Sequence, residues 1–371
     1  MLDSQTNPSI SQSVTHPPDK HPMRAPWLTL RTHRPAWSFK LDRRAPWVLA
    51  ITLLVTVALM IWNVGTGEYP IAPLDVIKTI LHIETGNNDY NFVVNTLRLP
   101  RAIVAFMVGV MLALSGAVMQ TLTRNPLASP DITGVTAGAS MGAVAMILLW
   151  PEAASAALPI AALVGGTGVA LIIYLLAWRH GDSPMRLILV GIGLGAMLSA
   201  FQSILMLRAD IDQLQRALYW LTGSIYARTW EHLYALLPWF VVLVPVVLLS
   251  SRQLNALHLG DDVAHSVGVP VTLQRGLLLL ASVGLTAAAI SQVGALGFVG
   301  LMAPHVARRL VGPAHEGSLV VTGLFGGLLV LAADFVGRTA LAPIEVPAGI
   351  IIALIGAPFF IFLLWRYRGA L

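Results

Sequence analysis

Three arginines stand where their chemistry matters. Arg98 and Arg101 flank Leu-Pro immediately before an apolar run that opens at Ala102, and Arg338 follows another that closes at Phe335. A guanidinium is planar, permanently charged and able to pair two-fold with a carboxylate, so arginines at the mouths of apolar segments suit docking of an acidic partner. The plainer reading is snorkelling of long side chains toward lipid headgroups. A second stretch, Ser251-RQLNALHLGDDVAHSVGVPVTLQR, is too polar to cross a membrane and too patterned for a slack linker. Leu254 to Leu259 predicts a short helix that breaks at Gly260. Asp261 and Asp262 then supply carboxylates to the amino end of a second helix, which Gly268 and Pro270 terminate. Such a pair makes a compact docking surface, or a capped loop with no partner.

Other chemistries are missing from the sequence. Lysine occurs only at positions 20, 40 and 78, none of them within the GxxxxGK[ST] pattern that cradles nucleotide phosphates. The chain is therefore expected not to hydrolyse ATP itself. It contains neither HExxH nor GxSxG, and no cysteine, and its histidines and carboxylates do not cluster at metal-ligand spacing. His305 is alone on its predicted helix and reads as a structural histidine. We expect no catalytic residue, no metal and no cofactor bound by this chain.

The elements that position these residues follow from composition. Charged residues make up 11% of the 371, hydrophobic ones 56%, and mean hydropathy is +0.74. Soluble domains carry roughly 25% charged residues, so a water-filled surroundings is excluded for most of this chain. Apolar windows long enough to cross a ~30 Å hydrocarbon core recur ten times. They fall at 47–64, 102–122, 133–150, 158–178, 187–207, 233–249, 273–293, 294–310, 319–335 and 346–365. The fold class is thus all-α and polytopic. Residues 1–46, rich in Ser, Pro, His and Arg without an apolar period, are expected to be a disordered cytosolic tail, leaving 47–371 as the membrane domain. No cleavable signal is expected ahead of the first span.

If the amino terminus is cytosolic, sixteen of the 23 basic residues fall on the cytosolic side, the orientation that the positive-inside rule favours, and both termini are cytosolic. The net charge of +5 is then an orientation signal. A nucleic-acid partner has no continuous basic face to bind. Gly134, Gly138 and Gly142, Gly191 with Gly195, and Gly323 with Gly327 recur every four residues, a spacing that lets helix backbones approach in lipid. Asp334 lies in an apolar window, which makes it a functional candidate, but Arg338 lies four residues on and an i,i+4 ion pair explains it at least as well. Residues 209–229 read as a short amphipathic helix at the outer interface.

Several ordered motifs carry a resemblance: RLPR from Arg98, RNPLASPD from Arg124, WLTGS from Trp220, LGDDVAHSVGV from Leu259, GFVGLMAPH from Gly297 and EVPAGIIIALIGAPFF from Glu345. Together they resemble the permease subunits of ATP-driven importers for iron-siderophores, haem and vitamin B12, across roughly residues 47–368. The resemblance implies a type II ABC importer permease in the bacterial cytoplasmic (inner) membrane. It implies as partners a second permease subunit, in a homo- or heterodimer, two ATP-binding subunits that use the ATP, and a periplasmic substrate-binding protein. It assigns Arg98, Arg101 and Arg338 to docking of that binding protein. ATPase coupling falls to helices at about 254–268, with Leu257, Leu259, Gly260, Asp261, Asp262, Ala264 and Gly268. The stretch AWRHGDSPMRLILVGIGLGAM is similar to ferric-siderophore permeases of the catecholate, ferric-enterobactin type, with haem and cobalamin as the alternatives. An ion-coupled secondary transporter is the rival class, and it would place functional carboxylates near the bilayer midplane, where the sequence has none.

Overall fold

The computed structural model describes residues 27–31, 38–177 and 184–366. A hairpin, β1 (Trp27–Arg31) and β2 (Ser38–Asp42), precedes fifteen helices. In order these are α1 (Ala45–Gly65), α2 (Pro73–Ile80), α3 (Asp89–Asn91), α4 (Leu99–Leu122), α5 (Val135–Leu149), α6 (Ala154–Ala177), α7 (Pro184–Met206) and α8 (Ile211–Leu221). There follow α9 (Trp230–Leu249), α10 (Ser251–Leu259), α11 (Asp261–Ser266), α12 (Val271–Val293), α13 (Val299–Val311), α14 (His315–Thr339) and α15 (Ala348–Arg366). A π-helical turn over Phe92–Arg98 joins α3 to α4, so one apolar rod runs from Asp89 to Leu122.

Eight helices among the described residues are long and apolar enough to cross a membrane. The third and eighth windows differ from expectation. Helix α5 has 15 residues and α13 has 13, the latter only about 20 Å at 1.5 Å per residue. Both are cut at their amino ends by left-handed backbone, at Gly134 (φ 68°) before α5 and at Phe298 (φ 64°) before α13. The segment between α12 and α13 is non-helical, which lipid tolerates only where protein covers it. It is covered: Ser224 N–H donates to the Val293 carbonyl at 2.7 Å, and Gly349 N–H to the Gly223 carbonyl at 3.0 Å. The WLTGS turn, the end of α12 and the start of α15 thereby interlock.

Helix α4 is the core. From Ala102 onward nearly every side chain is buried against α9, α12, α13 and α14. Glycine makes the approach possible: a Cβ at Gly109 would strike the Gly326 carbonyl of α14, and one at Gly116 the Gly300 carbonyl of α13. The Gly138 and Gly142 repeat of α5 likewise lies on the backbone of α6 at Gly165 and Ala161, as the four-residue spacing predicts. Near the middle of α4, the buried Ser115 hydroxyl sits 2.7 Å from that of Ser282 and 2.6 Å from that of Thr286, both on α12. Helix α7 is different, exposing Leu189, Ile192, Met197, Phe201 and Ile204.

Within the segment expected to be a disordered tail, the described residues form the β1–β2 hairpin. Leu28 pairs with Leu41 and Leu30 with Phe39 across the hairpin, and β2 packs against α14. The remainder of that tail, residues 1–26 and 32–37, lies outside the described residues.

Replacing Gly326 with leucine should cost at least about 1–3 kcal/mol through overpacking against α4. Gly193→Ala, where nothing lies within 4 Å of the new methyl, should stay within about 1 kcal/mol of wild type. Thermal unfolding of the detergent-solubilised chain checks both.

Candidate functional sites at the two ends of one buried helix

At the amino end of α4, the three sequence-selected arginines are turned into the protein. Arg101 Nη2 lies 2.8 Å from Asp334 Oδ1 and 3.0 Å from Glu345 Oε2, and its Nε also donates to Asp334. With Arg101 12% exposed and Asp334 3%, this is a largely dehydrated cluster joining α4, α14 and the loop before α15. The Tyr226 ring covers the guanidinium, 5.9 Å from ring centre to Cζ. The expected Asp334–Arg338 pair is replaced by this longer-range one, because α14 packs Asp334 toward α4. Arg338 instead donates to the backbone carbonyl and side-chain oxygen of Asn63 at the end of α1. Arg98 donates to the carbonyls of Val64 and Tyr69, both at 2.9 Å. Among the described residues neither Arg98 nor Arg338 has a carboxylate in an ion pair, and both are held by carbonyl and amide oxygens instead.

At the other end, α10 and α11 form the predicted helix pair, broken by Gly260 at φ 120° and ended by Gly268 at φ 82°. A residue with a side chain rarely adopts either conformation. The seven coupling candidates divide by exposure. Leu257 and Ala264, with Leu254, are buried anchors, whereas Leu259 is 69% exposed and stands with Asp262, Val263 and the 65%-exposed Val267 on the outer face. Asp261 does more than favour the start of α11. Its Oδ1 pairs with Arg124, just beyond α4, and at 2.8 Å with Arg275 near the start of α12, while Arg124 Nε donates to the Leu257 carbonyl at 3.3 Å. Asp261 thus bolts the helix pair to the two central helices.

Sequence reasoning did not assign this bolt, although Arg124 opens the RNPLASPD motif. It also missed a polar chain beneath α10. Thr121 Oγ1 meets His315 Nε2 at 2.8 Å, His315 Nδ1 meets Asn255 Oδ1 at 2.7 Å, and Asn255 Nδ2 donates to Glu316 at 2.8 Å. Burial, then Arg308 and Arg124, lowers the pKa of His258 on α10 below the ordinary value, favouring the neutral imidazole. His305 packs edge-on against Phe359 with ring centres 5.8 Å apart, in keeping with a structural histidine. No group of three potential metal-ligating side chains occurs among the described residues.

Two charged ends tied by one buried rod form an architecture that can be compared with known proteins, and residues 53–366 match the FecCD transport family. The chain belongs to that family. The probable siderophore transport system permease protein YfhA of Bacillus subtilis is 41% identical over 331 residues, covering 87% of this chain and 96% of the relative. The iron(3+)-hydroxamate import system permease protein FhuG of the same organism is 39% identical, covering 86% and 96%. Other FecCD-like relatives are named for ferric enterobactin in Escherichia coli and cobalamin in Halobacterium salinarum. A solved structure described as an inward-facing conformation of a putative metal-chelate type ABC transporter superposes with a TM-score of 0.78 at 32% identity, covering 86% of this chain and 99% of that one. This FecCD chain is a multi-pass membrane permease, a transport subunit and not an enzyme.

Asp334→Asn should destabilise the protein by about 1.5–3 kcal/mol, because it replaces the more buried of the two carboxylates on Arg101 by a neutral amide and leaves Glu345 alone to balance it. Removing the exposed Asp75–Lys78 pair of α2 should change stability by less than about 1 kcal/mol. Thermal melts of the two variants in one detergent test the contrast.

Proposed function

We propose that this permease carries an intact ferric siderophore, of the catecholate class, from periplasm to cytosol. The energy comes from ATP hydrolysed in two separate subunits. The observation that carries this reading is the division of labour along α4. Two arginines without an ion-paired carboxylate, Arg98 and Arg338, stand at one mouth, and an apolar-tipped helix pair is fixed to the other end by Asp261. From Arg101 to Leu122 the helix rises about 32 Å, the thickness of a hydrocarbon core.

In this reading the Arg98 end faces the periplasm and α10–α11 the cytosol, with both termini cytosolic. Arg98 and Arg338 meet carboxylates of a binding protein, and Arg101 holds the mouth in shape beneath them. Leu259, Val263 and Val267 enter a cleft of the ATP-binding subunit, with Asp262 beside them. A second permease subunit covers the exposed apolar face of α7. The siderophore class rests on the similarity of residues 177–197, of which 178–183 lie outside the described residues. Hydroxamate and cobalamin cargo are the competing readings within the same family, and relatives named for them are of comparable identity.

Gly260→Leu should abolish uptake in the reconstituted complex while the spans remain folded; full transport by that variant would remove α10–α11 from the coupling role. Arg98→Glu and Arg338→Glu should each weaken binding-protein affinity and reduce its salt sensitivity, since exposed charge contacts are screened over about 8–10 Å. Unchanged affinity in both would leave them as structural residues that tie α4 and α14 to the end of α1. A cell lacking the chain should lose ferric catecholate uptake and keep haem and cobalamin uptake. Labelled iron and labelled chelator should enter in one ratio; iron arriving without its chelator would contradict transport of the intact complex.

A further inference from the structure

Arg228, between α8 and α9, is half-buried, with an inaccessible Nε and, among the described residues, no carboxylate in an ion pair. Arg101 has two carboxylates and Arg98 two carbonyls, but among the described residues Arg228 makes one hydrogen bond, Nη1 to His232 Nε2 at 3.0 Å, and its Nε has none. Burial pulls its guanidinium down to about 10, opposed by Tyr219 and assisted by Arg101. A cation removed from water and left unpaired is costly, and an anion supplied from outside would relieve that cost.

The surroundings suit such an anion. Arg228 lines a cavity of about 330 Å3 together with Arg216, Tyr219, Trp220 and Ser224, and Leu158 and Val293 make part of its apolar wall. Trp220 is only 6% exposed and its indole N–H has no partner. Directly along α6, α9 and α12 lies a groove of about 410 Å3, walled by Ile160 and Leu163 on one side and Ala235 and Trp239 on the other, with Ala288 on its floor. Cavity and groove adjoin: Leu158 lines one and Pro159 the other on α6, Val293 one and Gln292 the other on α12, and Arg228 in the cavity is hydrogen-bonded to His232 in the groove. Glu231 also lines the groove, but its side chain is exposed and does not line the cavity that holds the arginines. The cavity lies at the end where Trp230 stacks on Tyr234, the aromatic level at which lipid headgroups meet protein.

We propose that cavity and groove bind one phospholipid of net negative charge, its phosphate held in the cavity by Arg228 and Arg216 and an acyl chain laid between α6 and α9. The unpaired cation selects the charge, and the adjoining groove selects a lipid over a free anion. The site lies close enough to Arg101 to feel its charge, is lined by none of the three arginines assigned to docking, and does not depend on which chelate is carried.

The test is native mass spectrometry of the full chain released from detergent after incubation with phosphatidylglycerol, phosphatidylethanolamine or inorganic phosphate. Wild type should retain phosphatidylglycerol in preference to phosphatidylethanolamine. Removing a charge-assisted hydrogen bond weakens binding about tenfold or more, so Arg228→Gln should show that loss. Arg216→Gln, at an exposed position that disturbs no packing, should show a several-fold loss even if Arg228→Gln fails to fold, and Leu163→Trp should block the groove and give a similar loss. Equal retention of the two lipids, or phosphatidylglycerol bound by Arg216→Gln and Leu163→Trp as by wild type, would overturn the proposal. Displacement of the lipid by an equal concentration of inorganic phosphate would reassign the cavity to a small anion and overturn it as a lipid site.

Discussion

A charge withdrawn from water at the edge of a membrane must be met by another charge or by oriented dipoles, and the Arg101–Asp334–Glu345 cluster is where this protein meets that demand most completely. The cluster joins the first turn of α4 to the last turns of α14 and to the loop before α15, elements 233 and 244 residues away in sequence. With that end pinned, α4 can run through the centre with almost no side chain exposed. The opposite end is pinned by the same device in milder form: Asp261 between Arg124 and Arg275 is 41% exposed, and water screens it. One joint is therefore stiff and the other yielding, which fits the proposed roles of a mouth that keeps its shape and a coupling contact that moves.

Between the pins, packing replaces the hydrophobic effect, which has little force between helices in lipid. Glycines at 109, 116, 300 and 326 bring the backbones of α4, α13 and α14 into direct contact, and the Ser115, Ser282 and Thr286 hydroxyls satisfy one another at the α4–α12 crossing. Helix α7, by contrast, is apolar yet uncovered. Rigid centre and open flank together give a subunit whose packed core does not depend on the uncovered face of α7.

Much of this was legible in the sequence, and the failures have physical causes. Long apolar windows located eight of the crossings because a span's length is set by the bilayer. The short α5 and α13 were overextended, since the windows do not register the left-handed backbone at Gly134 and Phe298. The Gly260 break and the exposed Leu259 follow from local patterning. The partner of Asp334 did not, because i,i+4 spacing names the nearest arginine while helix packing chose Arg101. Leu28 to Leu30 and Phe39 to Leu41 alternate in the manner of strands, a two-residue period that a search for twenty-residue apolar runs passes over. That Arg228 has no ion-paired carboxylate among the described residues has no sequence signature at all, since it depends on which carboxylates fold next to it.

The central claim is that this chain supplies a path and two joints but no energy of its own. It is tested most directly by uptake into proteoliposomes containing the permease, its ATP-binding subunits and the binding protein, with ATP and ion gradients supplied separately. Chelate accumulation that requires ATP on the α10–α11 side and binding protein on the Arg98 side, and ignores proton and sodium gradients, is the predicted result. Accumulation driven by an ion gradient in vesicles lacking the ATP-binding subunits would contradict it and make the chain a secondary transporter.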